Sequence, residues 1–234
     1  MKTRATGREM MDDPSADREE IAESFQFIRQ VNRWFGGTSA TLRCIRHIHE
    51  RMPQNQAIRI LDIGTGAADI PIAINEWADR NGMQVSITCI DNHPACLQVA
   101  REAIKGMDSI EVVKADAVEL IELYEPGSFD IVHAGMMLHH LDDIEVMTVL
   151  RIMQKLARRG LIWNDLLRSW LSVFALQIVT TGMPQMVRND AILSVRKGFT
   201  IREAVTMARK VGLENIRTRR HLWGRFTLTS TMDG

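Results

Sequence analysis

The feature that most constrains this chain is an alternation of short apolar runs with longer helix-like segments. The runs are Ile58–Ile63 (IRILDI), Val85–Ile90 (VSITCI), Ile110–Ala115 (IEVVKA), Phe129–Ala134 (FDIVHA) and Gly160–Asp165 (GLIWND). The segments around Ile70–Arg80, Pro94–Lys105 and Ile144–Leu156 are long enough to cross back over a sheet. Such alternation means parallel strands with helices on both faces. The near-continuous apolarity of the runs agrees, because strands covered on both faces have no wet side. After residue 199 the rhythm changes. Thr200-Ile-Arg-Glu203 is a capping box, opening a helix through Ala204, Ala208 and Val211 to a stop at Gly212. Glu214–Leu222 and Arg225–Thr231 then read as strands separated only by Trp223-Gly224, too short for a crossover, so they must pair antiparallel. The expected fold class is α/β: a doubly wound, seven-stranded sheet, mostly parallel, ending in an antiparallel hairpin.

Residues 1–52 form a helical cap ahead of this sheet, and residues 53–234 the main domain. The first dozen residues are polar and expected to be loose. Asp13-Pro14 resembles a helix start, with proline at the first helical position. Ile21, Phe25, Ile28, Val31 and Phe35 follow at helical spacing up to Gly36-Gly37, and Phe27 and Trp34 widen that face. A second helix opens near Thr38 or Thr41 and places Leu42, Ile45, Ile48 and Met52 on one side. Ser169–Val187 carries no charge but includes Gly182 and Pro184. Its apolar part falls short of the roughly 20 residues of a membrane span. We therefore expect a helical insertion at about 166–192 covering an apolar substrate space, without stable membrane insertion.

With 29 basic and 29 acidic residues, no global attraction to nucleic acid or an anionic membrane is implied. Arg217, Arg219, Arg220 and Arg225 cluster near the end of the sequence, and a solvated strand face is the expected reason. Cys44, Cys89 and Cys96 lack metal-ligand spacing, and the first twenty residues lack an apolar core, so a reducing cytoplasm and no secretory signal are expected.

Ligands of open parallel sheets bind beyond the carboxyl ends of the strands. Here Ile58–Pro71 (IRILDIGTGAADIP) puts a glycine turn, Gly64-Thr65-Gly66, at that place. A dinucleotide fingerprint would require glycine at position 69, which is Asp69. Pyrophosphate would also be repelled by Asp62 and Asp69, and no Gly-Lys-Ser/Thr follows for a phosphate loop. Acids around the turn suit a cationic, phosphate-free ligand such as S-adenosylmethionine (SAM).

The stretch LDIGTGAADIP also resembles motif I of the class I SAM-dependent methyltransferases, with Ala68 in place of the third family glycine. That resemblance runs in order through residues 58–234 and implies a Rossmann-like fold. It places Asp62, Gly64, Thr65 and Gly66 at the cofactor. In CIDNHPACLQVARE it implies that Asp91, with Asn92 beside it, binds the ribose hydroxyls. In KADAVEL it sets Asp116 against the adenine amino group and Ala117 by the ring. In FDIVHAGMMLHHLDD it lines the methionine moiety with Ala134 and Gly135. The residues themselves leave Asp91 as a helix N-cap before Pro94 and Asp116 as a loop acid as alternatives.

For the chemistry, His139 and His140 follow the fourth strand and are the candidate bases, one of which could instead brace the loop through Asp142 or Asp143. Asn164 and Asp165 form a second polar pair on the same rim, or cap the following helix. Phe27, Trp34, Phe35, Trp170 and Phe174, with Asn164, are the candidate substrate residues, which implies an apolar or aromatic small-molecule acceptor. WNDLLRSWLSVFALQIVTTGMPQMVRNDAILSVRKGFTIREAV is similar to a bacterial methyltransferase subgroup linked to polyketide or phenolic-lipid assembly, and matches its arginines at Arg168, Arg188 and Arg196. The leading expectation is methylation of a hydroxyl. The alternatives are C-methylation, as in the quinone-biosynthesis methyltransferases, a NAD-dependent oxidoreductase, and a non-catalytic binding protein.

Overall fold

A computed structural model describes residues 1, 3–13, 18–34, 36–52 and 56–232. Helices α1 (Arg18–Trp34) and α2 (Gly37–His49) precede strand β1 (Ile58–Ile63). The strand-helix alternation then runs α3 (Asp69–Arg80), β2 (Val85–Asp91), α4 (Pro94–Ala103), β3 (Ile110–Lys114), α5 (Leu120–Leu123) and β4 (Phe129–Gly135). It continues through α6 (Asp143–Leu156), β5 (Ala157–Leu166), α7 (Trp170–Val179), α8 (Gln185–Lys197), α9 (Ile201–Lys210), β6 (Ile216–His221) and β7 (Arg225–Thr231). Strand order is β3-β2-β1-β4-β5-β7-β6. The first five strands pair in parallel, and β7 inserts antiparallel between β5 and β6. The expected fold class is the one observed.

Period-two alternation sends each strand's side chains to two different cores. On one face Leu61, Ile63, Val132, Leu161, Trp163, Phe226 and Leu228 pack with Val149, Leu150 and Met153 of α6 and Ala204 of α9. On the other Ile58, Ile60, Ile87, Ile131 and Ile162 meet Ile45 and Ile48 of α2 and Ile74 and Trp77 of α3. The arginines of β6 serve its position as an edge strand: Arg217, Arg219 and Arg220 are exposed, and charge there discourages further pairing.

Arg225 departs from that expectation. It is 2% exposed, facing α1 and α2 at the start of β7. Its guanidinium donates to Asn32 Oδ1 (2.9 Å) and Asn164 Oδ1 (3.5 Å). Gly37 is glycine because a Cβ there would stand 2.7 Å from Asn32 Oδ1 and 3.0 Å from the Arg225 guanidinium. Burial pulls the pKa of Arg225 down to about 10 against the opposing pull of Asp165 and Asp69, so it stays charged at neutral pH.

Two other expectations change. The opening residues are tied down: Arg4 donates to the carbonyls of Lys197 (2.8 Å), His139 (3.0 Å) and Leu141 (2.7 Å), and Met10 and Met11 N–H groups donate to Asp190. Local composition could not show this, because every partner is more than 130 residues away. The uncharged segment is two helices, broken where Gly182 adopts φ +82° ahead of Pro184. Among the described residues no helix is long and apolar enough to cross a membrane. The expected helix start at Pro14 and the candidate Phe35 lie outside the described residues.

Replacing Arg225 with Met removes a charge on which two buried amides depend. Urea denaturation is expected to show a loss on the order of 3 kcal/mol, whereas exposed Arg219→Ala should stay within about 0.5 kcal/mol.

Candidate active site

A cavity of about 1160 Å³ opens at the carboxyl ends of the parallel strands. Asp62, Gly64, Thr65, Gly66, Asp91, Asn92, Asp116, Ala117, Gly135, His139, His140, Phe27, Asn164 and Trp170 all line it. Ala134 lies beneath, 1% exposed in the core. Trp34 and Phe174 do not line it and are 73% and 55% exposed. The reason at α7 is helical phase: Ser172, Ala175 and Leu176 turn toward the cavity, Leu171 and Val179 stand at its edge, and Phe174 and Ile178 point away. Trp34 sits in the last turn of α1 with the Arg33 guanidinium over its ring.

The glycine turn is built from backbone requirements. Gly64 and Gly66 have φ of +71° and +55°, conformations that glycine adopts without a Cβ clash. A Cβ on Gly64 would also collide with the Met137 side chain. Ala68 occupies the left-handed region at φ +56°, where glycine would be free of strain. The Gly66 N–H donates to Asp91 Oδ2 (3.0 Å) and the His93 N–H to Asp91 Oδ1 (2.9 Å). Asp91 therefore ties the ends of β1 and β2 together. It does not cap α4, whose N-cap is His93. Burial raises its pKa, opposed by the two backbone hydrogen bonds. Asn92 Nδ2 donates to Asp116 Oδ2 (3.0 Å), and Asp116 Oδ1 accepts from the Val118 N–H.

Asp62 faces the same space from the end of β1, 3% exposed, with Oδ1 2.5 Å from His133 Nδ1. Asp69, at the start of α3, accepts from Asn32 Nδ2 (2.9 Å). Burial raises its pKa, and the charge of Asp62 adds to that while Asn32 opposes it. The donor set around the turn thus consists of backbone amides and carboxylates, with Asp62, Asp69, Asp91 and Asp116 on the cavity wall. That chemistry fits a sulfonium, an ammonium and a ribose, and it opposes a pyrophosphate.

Across the cavity a second buried pair sits on the opposite sheet face. His139 Nδ1 is 2.7 Å from Asp165 Oδ1, with the two residues 1% and 0% exposed. Asp165 also accepts from the His139 N–H (3.2 Å), Trp163 Nε1 (3.1 Å) and its neighbour's Leu166 N–H (2.8 Å). Burial would push the Asp165 carboxyl up, but His139 and these hydrogen bonds hold it below the ordinary range. An ionised Asp165 can only accept, so the proton of this hydrogen bond sits on His139 Nδ1, and Nε2 is the ring nitrogen left over. That Nε2 is buried and makes no hydrogen bond. Thus neither Asn164 nor Asp165 caps a helix: Ser169 caps α7, and Asn164 donates to the Gly37 carbonyl (3.0 Å) and Thr41 (2.9 Å). Asp142 caps α6, and Asp143 pairs with Arg4 (2.7 Å), which in turn donates to the His139 carbonyl.

Glu9, Arg4, Lys197 and His133 belong to this neighbourhood and carry no local sequence signal, except that a histidine inside the apolar run FDIVHA is unusual. Glu9 Oε1 is 3.8 Å from both His139 Nε2 and His140 Nδ1. These three groups have the spacing of metal ligands. Lys197 Nζ, 3.4 Å from Glu9, already supplies the positive charge a cation would bring.

Residues 60–160 match the family described as "Methyltransferase domain". Together with the sheet order and the acid-rich glycine turn, this match marks residues 60–160 as a methyltransferase domain of the class I SAM-dependent kind, with SAM as its cofactor. A 115-residue segment is 30% identical to a demethylmenaquinone methyltransferase of Staphylococcus haemolyticus, covering 49% of this chain and 45% of that protein. The match thus spans less than half of that relative. The structure of PigF with S-adenosylhomocysteine superimposes with a TM-score of 0.64 at 20% identity, over 97% of this chain and 63% of that one. A SAM-dependent methyltransferase from Aquifex aeolicus superimposes with a TM-score of 0.61 at 15% identity, over 92% and 98% of the two chains.

Asp91→Ala removes the brace of the glycine turn, and calorimetry is expected to show SAM binding weakened at least tenfold. In the unaltered protein, affinity should fall on acidification from a pH above that of an ordinary aspartate, about 3.9, because the raised Asp91 protonates earlier.

Proposed function

We propose that the chain is a cytoplasmic SAM-dependent methyltransferase acting on a hydroxyl of an apolar or aromatic small molecule. The observation that carries this reading is the buried Asp165–His139 pair, whose histidine lies on the wall of the cavity that also holds the glycine turn. SAM bound at the turn would supply a methyl group already activated by its sulfonium. The rest of the work falls to the protein. Backbone and carboxylate groups of Gly64–Gly66, Asp91 and Asp116 orient the cofactor, and correct placement alone can account for about 7–11 kcal/mol of barrier. Asp165 fixes the His139 tautomer and orientation, and Nε2 takes the proton of the acceptor hydroxyl. Phe27, Leu171, Leu176 and Val179 give the acceptor an apolar bed and exclude water. The helical segment 166–192 and the cap 1–52 serve as the substrate-covering parts. The free thiols Cys44, Cys89 and Cys96 support the cytoplasmic setting.

A second reading, transfer to carbon, is supported by the likeness to demethylmenaquinone methyltransferases. It uses the same base to generate the attacking carbon nucleophile. Incubation with methyl-labelled SAM and a panel of alkylphenols and quinols, followed by NMR of the products, separates the two. Label confined to carbon would overturn the first reading.

For the base, His139→Ala is expected to lower kcat by about 10²- to 10⁴-fold while SAM affinity changes less than threefold. Asp165→Asn should also lower kcat, through the wrong tautomer. A His139→Ala enzyme with unchanged kcat, alongside an inactive His140→Ala, would transfer the role to His140.

A further inference from the structure

The outer face of α7 is unlike the rest of the surface. Trp170, Leu171, Phe174, Ile178 and Val179 are 50–72% exposed, and the helix buries none of its residues. Beside its first turn lies the β6–β7 turn, where Leu222 and Trp223 are 82% and 66% exposed. The two elements are in contact: a Cβ on Gly224 would collide with Ser172, and the Leu167 N–H donates to the Gly224 carbonyl (2.8 Å). A ten-residue uncharged helix and an apolar hairpin tip therefore form one continuous exposed patch. Patches of this kind mark interaction sites.

The charges around the patch select its partner. There is no acid between Asp165 and Asp190, or between Glu214 and Asp233, whereas Arg188, Arg217, Arg219 and Arg220 are exposed on those same stretches. A second copy docked on this face by twofold symmetry would bring like-charged arginines together, with no acid on either stretch to answer them. An anionic lipid surface has the complementary charge. A tryptophan on each of the two elements, Trp170 and Trp223, suits the headgroup boundary, where an indole is half in apolar and half in wet surroundings. At ten residues α7 can lie in that boundary but not cross it.

We propose that α7 and the β6–β7 turn form a docking surface for anionic membranes, through which an apolar acceptor enters the cavity. Trp170, Leu171, Val179 and Trp223 belong to both surfaces, since they are exposed and also line the cavity wall. An acceptor passing between them leaves the bilayer without crossing water. Only this entry route rests on the proposed substrate class; the docking itself does not.

The test uses the full chain without SAM or acceptor, and sucrose-loaded vesicles of phosphatidylcholine alone or with roughly 30 mol% phosphatidylglycerol. The protein is expected to co-sediment with the anionic vesicles at least tenfold better than with the neutral ones. Binding should fall with added salt, and tryptophan emission should be quenched by brominated acyl chains. The double variant Ile178→Glu/Leu222→Glu, whose residues do not line the cavity, should lose at least tenfold in vesicle binding while its melting curve is unchanged. Failure to sediment with anionic vesicles, or equal binding by the double variant, would overturn the proposal. So would a dimer that the double variant converts to a monomer in light scattering, or capture of an acidic protein without vesicle binding. Failure of docking leaves methyl transfer to short, soluble acceptors intact, and failure of methyl transfer leaves the sedimentation result unchanged, so the two readings fall separately.

Discussion

One buried hydrogen-bonded chain holds the cap to the sheet, and the cavity depends on it. It runs from Asp62 to His133 (2.5 Å), from His133 to Thr41 (3.1 Å) and from Thr41 to Asn164 (2.9 Å). From Asn164 it passes to Arg225 (3.5 Å), to Asn32 (2.9 Å) and finally to Asp69 (2.9 Å). Its ends are the two acids that flank the glycine turn, and its middle crosses α2, β5, β7 and α1. Because these groups are shut away from water, each depends on its neighbour, and an unmatched member would carry a full desolvation penalty. The chain therefore fixes where α1 and α2 lie over the cofactor end of β1, and with them one wall of the cavity.

The sheet uses its two faces differently at this end. On the face covered by α2 and α3, the apolar rows of β1, β4 and β5 end in Asp62, His133 and Asn164, and this polar row is structural. On the other face β5 ends in Asp165, which holds His139 at the cavity wall. A one-residue shift in strand phase separates the two pairs, since Asn164 and Asp165 are sequence neighbours that point to opposite cores. The N-terminal segment then closes the second site from outside. Arg4 anchors it to the His139 and Leu141 carbonyls and stacks over Phe199 at 4.1 Å, while Glu9 is 3% exposed beside Lys197 and the histidines.

Much of this was legible in the sequence because it follows from local rules. Hydrophobic period and connection length set the strand order class, the Thr200–Glu203 capping box opened α9, and the short Trp223-Gly224 connection required the hairpin. The glycine turn and its acids indicated the kind of ligand, since charge and the need for positive φ belong to residue types. Other parts were not legible because they are set by distant partners. Arg225 looks like its neighbours Arg219 and Arg220 in sequence, yet strand pairing with β5 turns it inward against Asn32 and Asn164. Trp34 and Phe174 look like substrate residues by composition, and helical phase and position place them outside the cavity.

The sequence by itself determined the class of fold and the chemistry of the cofactor end, because apolar spacing, turn residues and the charge beside the glycine turn act over a few residues. Only the tertiary structure decided which histidine meets which acid, that the opening segment is strapped across the site, and that α7 shows an apolar face to the outside. The physical reason is the same in each case. Burial and pairing are properties of a place in the folded chain, and residues such as Glu9 and His139 acquire their roles only when elements far apart in sequence come together.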